Sequence, residues 1–224
     1  IDYAPKEEED LSIISTILQN RKCWRMNLGS IEILESYGKI FIEDKIPILK
    51  IIDQTLSRQL ISEAMILYGN LISDYTKKNK IPIPYRVQEN KIKVCYETLN
   101  PLENNVLNNF KLKKSMGKTY YSIYPMKHTS LGLSSYIHAT SPIRRYSDLL
   151  VHYQLHRYLN NKDLISKEEI EDIIQDINNL GRQNIMRYRE DQKYWLSIWF
   201  KKNTSTEYQV ILLNWINKYK HICI

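Results

Sequence analysis

A length of 224 residues suits one domain or one and a half, with room for a substantial core. Hydrophobic residues at 43% and charged residues at 25% fit a soluble globular chain, and no apolar run approaches the roughly 18 residues of a membrane span. Three widely spaced cysteines, Cys23, Cys95 and Cys223, exclude a disulfide framework and a CxxC-type zinc site and fit a reducing compartment, the cytoplasm or the inside of an organelle.

In chain order, residues 7–24 open with an acidic run, favourable at a helix start, and continue with Leu11, Ile14, Leu18 and Trp24 at near-helical spacing. Ile31 to Leu34 and Lys39 to Glu43 flank Tyr37-Gly38, which predicts a hairpin turning at that dipeptide. A long helix is expected from Thr55 to Lys77, because Leu60, Ala64, Leu67, Leu71 and Tyr75 form one apolar stripe. Glu63 falls about 60° from the centre of that stripe, as a solvated border residue or a group aimed into a cleft. The prolines of Ile81-Pro-Ile-Pro break the helix. Residues 88–118 show little period and read as weakly ordered helix and loop, Tyr120 to Tyr124 as a short strand, and Thr129 to Thr140 as a loop.

Residues 138–148, His-Ala-Thr-Ser-Pro-Ile-Arg-Arg-Tyr-Ser-Asp, read as a helix start with Ser141 as N-cap and Pro142 in the first helical position, the helix running to Leu159. Arg144 and Arg145 then occupy a first turn that the helix dipole already makes positive, at a cost of roughly 0.3–1 kcal/mol each unless an anion answers them. That anion is either a carboxylate of the fold or a ligand phosphate held at the helix start. Arg144, Asp148 and His152 share a face at spacing four, so Asp148 is a candidate partner for Arg144. His152 and His156 read as structural histidines rather than a metal pair. Between Asn104 and Ser147 there is no Asp or Glu, while Lys111, Lys113, Lys114, Lys118, Lys127, Arg144 and Arg145 supply seven of the chain's positive charges against a net +7. Tyr120, Tyr121, Tyr124, Tyr136 and Tyr146 lie in the same stretch. Basic groups track a phosphate backbone and aromatic faces accept stacked bases, the combination a single-stranded nucleic-acid groove uses; packing accounts for most of these tyrosines.

Downstream, Ser166-Lys-Glu-Glu169 is a capping box opening a helix with Ile170, Ile173, Ile174 and Ile177 on one side, interrupted at Gly181 and resuming through Trp195 and Trp199. Tyr208 to Leu213 reads as a strand. A chain opening at Ile1 and closing inside an apolar pattern is expected to be part of a longer protein.

The run His128-Thr-Ser-Leu-Gly-Leu, Tyr136, His138, Thr140-Ser-Pro-Ile-Arg-Arg-Tyr-Ser-Asp-Leu and His152 closely resembles the signature of the ribonuclease II family, the RNB catalytic domain. Ile61-Ser-Glu-Ala-Met-Ile-Leu, Pro84-Tyr-Arg-Val and Tyr188-Arg-Glu-Asp with Tyr194-Trp195 resemble further family segments. The resemblance implies an α+β fold, helices packed on a mostly antiparallel sheet: residues 1–203 as the C-terminal portion of the catalytic domain and residues 204–224 as the start of an oligonucleotide-binding barrel. It implies a monomeric, hydrolytic 3′-to-5′ exoribonuclease acting on single-stranded RNA, with no membrane partner. Arg144 would contact the scissile phosphate and Glu63 the terminal nucleotide. Tyr85, Arg86, Tyr136, Thr140, Ser141, Arg145 and Glu190 would line the RNA, with Tyr188 as an alternative to Glu190. Two departures stand out. The family's aspartate cluster, which holds magnesium, has no counterpart here, so its ligands are expected upstream and the chain alone is expected to be inactive. Ile33 stands where the family commonly offers an aromatic base clamp. A non-catalytic RNA-binding relative, or the product of a degraded gene, is the alternative.

Overall fold

Five helices and three antiparallel strand pairs make up the described residues, 5–33, 35–89, 105–208, 212–217 and 220–223, of the computed structural model. The chain divides into two compact units, one of residues 1–32, 54–91 and 116–183, the other of residues 33–53, 92–115 and 184–224. The fold is α+β with antiparallel strands, as the resemblance implies, the strands forming separate two-stranded ladders among the described residues.

In the first unit, α1 (Pro5–Asn27) and α2 (Leu56–Lys78) lie together. Thr55 caps α2, its hydroxyl accepting the Arg58 N–H. The helix ends at Asn79 and Lys80, the latter at φ 54°, ahead of the proline-rich segment. The apolar stripe misidentifies which face is inside. Leu71 and Tyr75 are exposed, while the buried face carries Glu63, Gly69, Asn70, Ser73 and Thr76. Each buried polar group there has its partner: Glu63 meets Arg25, Asn70 meets Arg21, and Ser73 donates to Ser135 Oγ at 2.7 Å. Polar groups are tolerated inside when each finds a hydrogen-bond partner, so hydrophobic periodicity does not identify such a face. Gly69 is there because a Cβ would lie 2.5 Å from the Tyr136 ring.

Strand β3 (Tyr85–Gln88), not anticipated as a strand, pairs antiparallel with β4 (Thr119–Ser122). Its inward residues Tyr85 and Val87 join Ile81, Ile83, Ile137, Ala139 and Val151 in the main core. Helix α4 (Tyr146–Leu159) and the start of α5 (Lys167–Lys202) close a second cluster of Ile123, Leu150, Ile170 and Ile174. The Ser166 capping box forms as expected: the Ser166 N–H donates to Glu169 Oε2 at 3.1 Å, and the Glu169 N–H to Ser166 Oγ at 3.2 Å. Gly181 does not interrupt α5, which runs through it without a break; a glycine within a helix costs only about 0.5–1 kcal/mol, which the flanking turns outweigh.

In the second unit the hairpin is shifted by one strand. Strand β1 (Tyr37–Glu43) pairs with β2 (Ile46–Ile52), Gly38 lies inside the ladder opposite Ile51, and the turn is Asp44-Lys45 with both residues at positive φ, 49° and 63°. That is the geometry that matches the twist of two-residue hairpins. Helix α3 (Asn105–Ser115) occupies part of the segment read as weakly ordered, of which residues 90–104 lie outside the described residues. Lys113 forms an ion pair with Glu35. The expected strand from Tyr208 falls partly outside the described residues, and β5 (Leu212–Asn217) pairs with β6 (Lys220–Cys223).

Candidate functional site

The arginine segment is built differently from the expected helix start. Pro142 to Arg144 form a turn closed on the Ser141 carbonyl, which accepts the N–H groups of Arg144 at 3.2 Å and Arg145 at 3.0 Å. Arg145, extended at φ −125° and ψ 113°, is the residue that caps α4, so Ser141 is not the N-cap and Arg144 lies outside the helix. The cause is Asp148. This carboxylate is fully buried, and it accepts from the Ser141 N–H at 2.9 Å, Arg145 Nε at 3.0 Å, Arg145 Nη2 at 2.7 Å and Ser147 Oγ at 3.1 Å. Reaching both Ser141 and Arg145 from the first helical turn requires the chain to bend at Arg145, and a buried carboxylate left without those donors would be costly. Asp148 therefore partners Arg145, not Arg144.

Arg144 is left exposed, and its guanidinium donates only to Ser141 Oγ at 3.4 Å, with no carboxylate against it among the described residues. Arg145 also donates to Thr140 Oγ1 at 3.2 Å. His152 donates from Nε2 to the Ala139 carbonyl at 2.6 Å, tying the preceding segment to α4.

Behind this turn lies a row of rings. Tyr136 is buried edge-to-face between His128, at 5.6 Å between centroids, and His138, at 5.5 Å. Tyr121 Oη lies 2.9 Å from Ser147 Oγ and 2.9 Å from His138 Nδ1, which links the imidazole by hydrogen bonds to the residue beside Asp148. Arg86 stacks its guanidinium over the Tyr121 ring, 4.7 Å from the centroid, and donates to Thr119 Oγ1. Its backbone N–H donates to the Tyr136 carbonyl at 2.8 Å. Burial, reinforced by Arg86, lowers His128 to a pKa of about 4, and burial with Arg145 and Arg86 lowers His138 to about 4 as well. Burial pushes Tyr136 up to about 12, and burial lowers Arg86 from its ordinary value. The histidines are thus neutral near pH 7, chiefly because burial disfavours their charged forms, with the neighbouring arginines acting in the same sense.

Of the anticipated RNA-binding residues, Arg86, Tyr136, Thr140, Ser141 and Arg145 come together here. Tyr85 is a core residue, 4% exposed, with burial raising its phenol pKa. Glu63 is 3% exposed, and both of its carboxylate oxygens accept from Arg25, a residue that nothing in the sequence singled out. Glu190 and Tyr188 are exposed on α5 in the other unit. The basic stretch is divided as well: Lys111, Lys113 and Lys114 belong to the second unit, and Lys118, Lys127 and the arginines to the first. Tyr124 and Tyr146 are the two tyrosines of that stretch that face outward. Among the described residues no three His, Cys, Asp or Glu side chains converge to hold a metal ion, so the residues present do not fit a magnesium site. No helix among them is long and apolar enough to cross a membrane.

The α+β unit thus presents an exposed arginine on a turn braced by a buried aspartate. The chain belongs to the RNB domain family, whose model matches residues 2–161. It is 29% identical over 214 residues to an uncharacterised ribonuclease of Synechocystis sp., covering 94% of this chain and 32% of that protein. Among solved structures it is similar to the Dss1 exoribonuclease of Candida glabrata, with a TM-score of 0.82 and 23% identity over 100% of this chain and 30% of the other. It is also similar to the RNase R of Mycoplasma genitalium in complex with ribose-methylated single-stranded RNA, with a TM-score of 0.78 and 21% identity over 91% and 38%. The chain thus spans about a third of the length of each of these relatives.

Proposed function

We propose that this chain is the C-terminal part of the catalytic domain of a hydrolytic 3′-to-5′ exoribonuclease acting on single-stranded RNA, and that Arg144 meets the scissile phosphate. The observation that carries the reading is the division of labour between adjacent arginines. Asp148 neutralises Arg145 and fixes the turn, whereas Arg144 projects from that turn with its charge unspent. In hydrolysis, water oxygen bonds to phosphorus as a P–O bond to the strand breaks, and the departing oxygen takes the proton. Negative charge gathers on the non-bridging oxygens, and a guanidinium projecting from a fixed turn can stabilise it there. Thr140, Ser141 and Arg145 shape the turn, while Tyr136, Tyr85 and Arg86 support it from behind. Glu63, with both carboxylate oxygens on Arg25, supports the terminal-nucleotide end through that arginine rather than by direct contact, and Glu190 belongs to a further contact. Magnesium would be held by aspartates outside this chain, supplying charge neutralisation and an activated water. The protein works as a monomer in the cytoplasm or an organelle interior. Support comes from the relatives, which are named ribonuclease, exoribonuclease and RNase R, one of them in complex with single-stranded RNA.

The test is the whole protein incubated with 5′-labelled single-stranded RNA. Progressive shortening from the 3′ end is expected. Binding that weakens steeply with salt but never shortens the strand would instead favour the non-catalytic RNA-binding alternative.

A further inference from the structure

We infer that Arg25 is a positioning residue of this site, holding the loop of residues 128–133 in the place from which it orders the Tyr136 ring row. The inference rests on the exoribonuclease reading. Arg25 sits in the last turn of α1 and is 7% exposed. Its guanidinium spends every face inside the protein: Nε on Glu63 Oε1 at 2.8 Å, Nη2 on Glu63 Oε2, and Nη1 on the Leu131 carbonyl at 3.0 Å. A buried ion pair is generally no more stabilising than well-packed apolar residues of similar volume. What an apolar pair cannot do is donate to the Leu131 carbonyl, so the specific contribution of Arg25 and Glu63 is where they hold that loop.

The backbone around Arg25 repeats the grip. Its carbonyl accepts the N–H groups of Leu28 and Ser30, both at 3.0 Å, and the Ile31 N–H donates to the Ser130 carbonyl at 2.9 Å. Gly132, at φ 68°, passes so close that a Cβ would lie 2.7 Å from the Arg25 carbonyl oxygen and 2.9 Å from the Ser30 nitrogen. On its other side the loop is tied to β3, with Thr129 Oγ1 donating to the Gln88 carbonyl at 2.7 Å and the Ser130 N–H to Gln88 Oε1 at 3.1 Å. Its first residue, His128, lays its ring against Tyr136, and Tyr136 continues through His138, Tyr121 and Ser147 to Asp148 and Arg145. Glu63 thus acts through Arg25: its buried carboxylate orients a guanidinium whose remaining edge fixes the loop.

The experiment compares Arg25→Lys, Gly132→Ala and the double variant Arg25→Met with Glu63→Met in the whole protein, reading melting temperature, Kd for single-stranded RNA and kcat, with Arg144→Ala as control. The double variant removes both charges together, so it is expected to melt near the wild type while kcat falls about tenfold or more and Kd changes less than about threefold. Arg25→Lys keeps the charge without the fork and should fall between. Gly132→Ala displaces the loop without touching a charge and should also lower kcat selectively. Folded Arg25→Lys and Gly132→Ala proteins with wild-type kcat would overturn the inference, whatever the double variant does. If Arg144→Ala is neutral too, the fault lies in the exoribonuclease reading; if Arg144→Ala alone is impaired, it lies with Arg25.

Discussion

Replacing Asp148 with alanine should undo the turn that presents Arg144. The carboxylate is fully buried and takes four donor contacts, two of them from Arg145, whose side chain is 24% exposed. Removing one partner of a buried ion pair costs about 3–5 kcal/mol, and stranding a buried N–H such as that of Ser141 costs about 1–3 kcal/mol. These losses share one carboxylate, and water reaches Arg145 in part, so the sum is about 4 kcal/mol rather than the full total. Adding Arg145→Met to Asp148→Ala removes the stranded charge and should recover about 2 kcal/mol. Hydrogen exchange read by mass spectrometry over residues 141–159 measures the local opening free energy, and the single variant should exchange through this segment faster by two to three orders of magnitude, roughly the 4 kcal/mol above. A loss below about 1 kcal/mol, or a double variant no better than the single, would show that Asp148 does not organise the turn.

The two histidines that flank Tyr136, His128 buried and His138 half-buried, give stability a pH dependence. Their folded values of about 4 lie below the ordinary 6.5, so between those limits the unfolded chain binds protons that the folded protein refuses. Unfolding free energy should therefore rise with pH through that window, by on the order of 3 kcal/mol for each histidine, and His138→Asn should flatten the urea-measured profile; an unchanged slope would contradict their burial as neutral rings. Two glycine substitutions should have opposite signs. Gly69→Ala drives a Cβ to 2.3 Å from the Ile137 carbonyl and 2.5 Å from the Tyr136 ring, at a cost of about 1–3 kcal/mol. Gly181→Ala, in open space inside α5, should raise stability by about 0.5–1 kcal/mol, and thermal melts of the two variants check both signs.

Local signals in the sequence were reliable where a few neighbouring residues decide the outcome. The Ser166 capping box and the proline break after α2 both rest on contacts within a turn or two. The arginine segment was legible in composition but not in geometry. Ser141-Pro142 satisfies every local rule for a helix start, yet Asp148 seven residues later pulls the backbone out of helix to reach the Ser141 N–H. The same holds for α2. Its apolar stripe faces outward because Glu63, Asn70 and Ser73 each find a partner from 38 to 62 residues away, and no periodicity encodes a partner at that distance. Arg25 was invisible for that reason, an ordinary basic residue at a helix end until the fold brings Glu63 and Leu131 to it. The hairpin was displaced because Gly38 is a stronger turn signal than Asp44-Lys45, although only the latter adopts positive φ at both positions.

The central claim is that the charge left free on Arg144 acts on a phosphate as it reacts. The most direct measurement is the Arg144→Ala variant of the whole protein, with turnover of a single-stranded RNA and its equilibrium affinity determined side by side. Loss of one donor to the reacting phosphate predicts that kcat drops by about 10²–10³ while Kd shifts by no more than about threefold, because other basic groups still hold the backbone. Equal losses in both, or no loss in either, would contradict it.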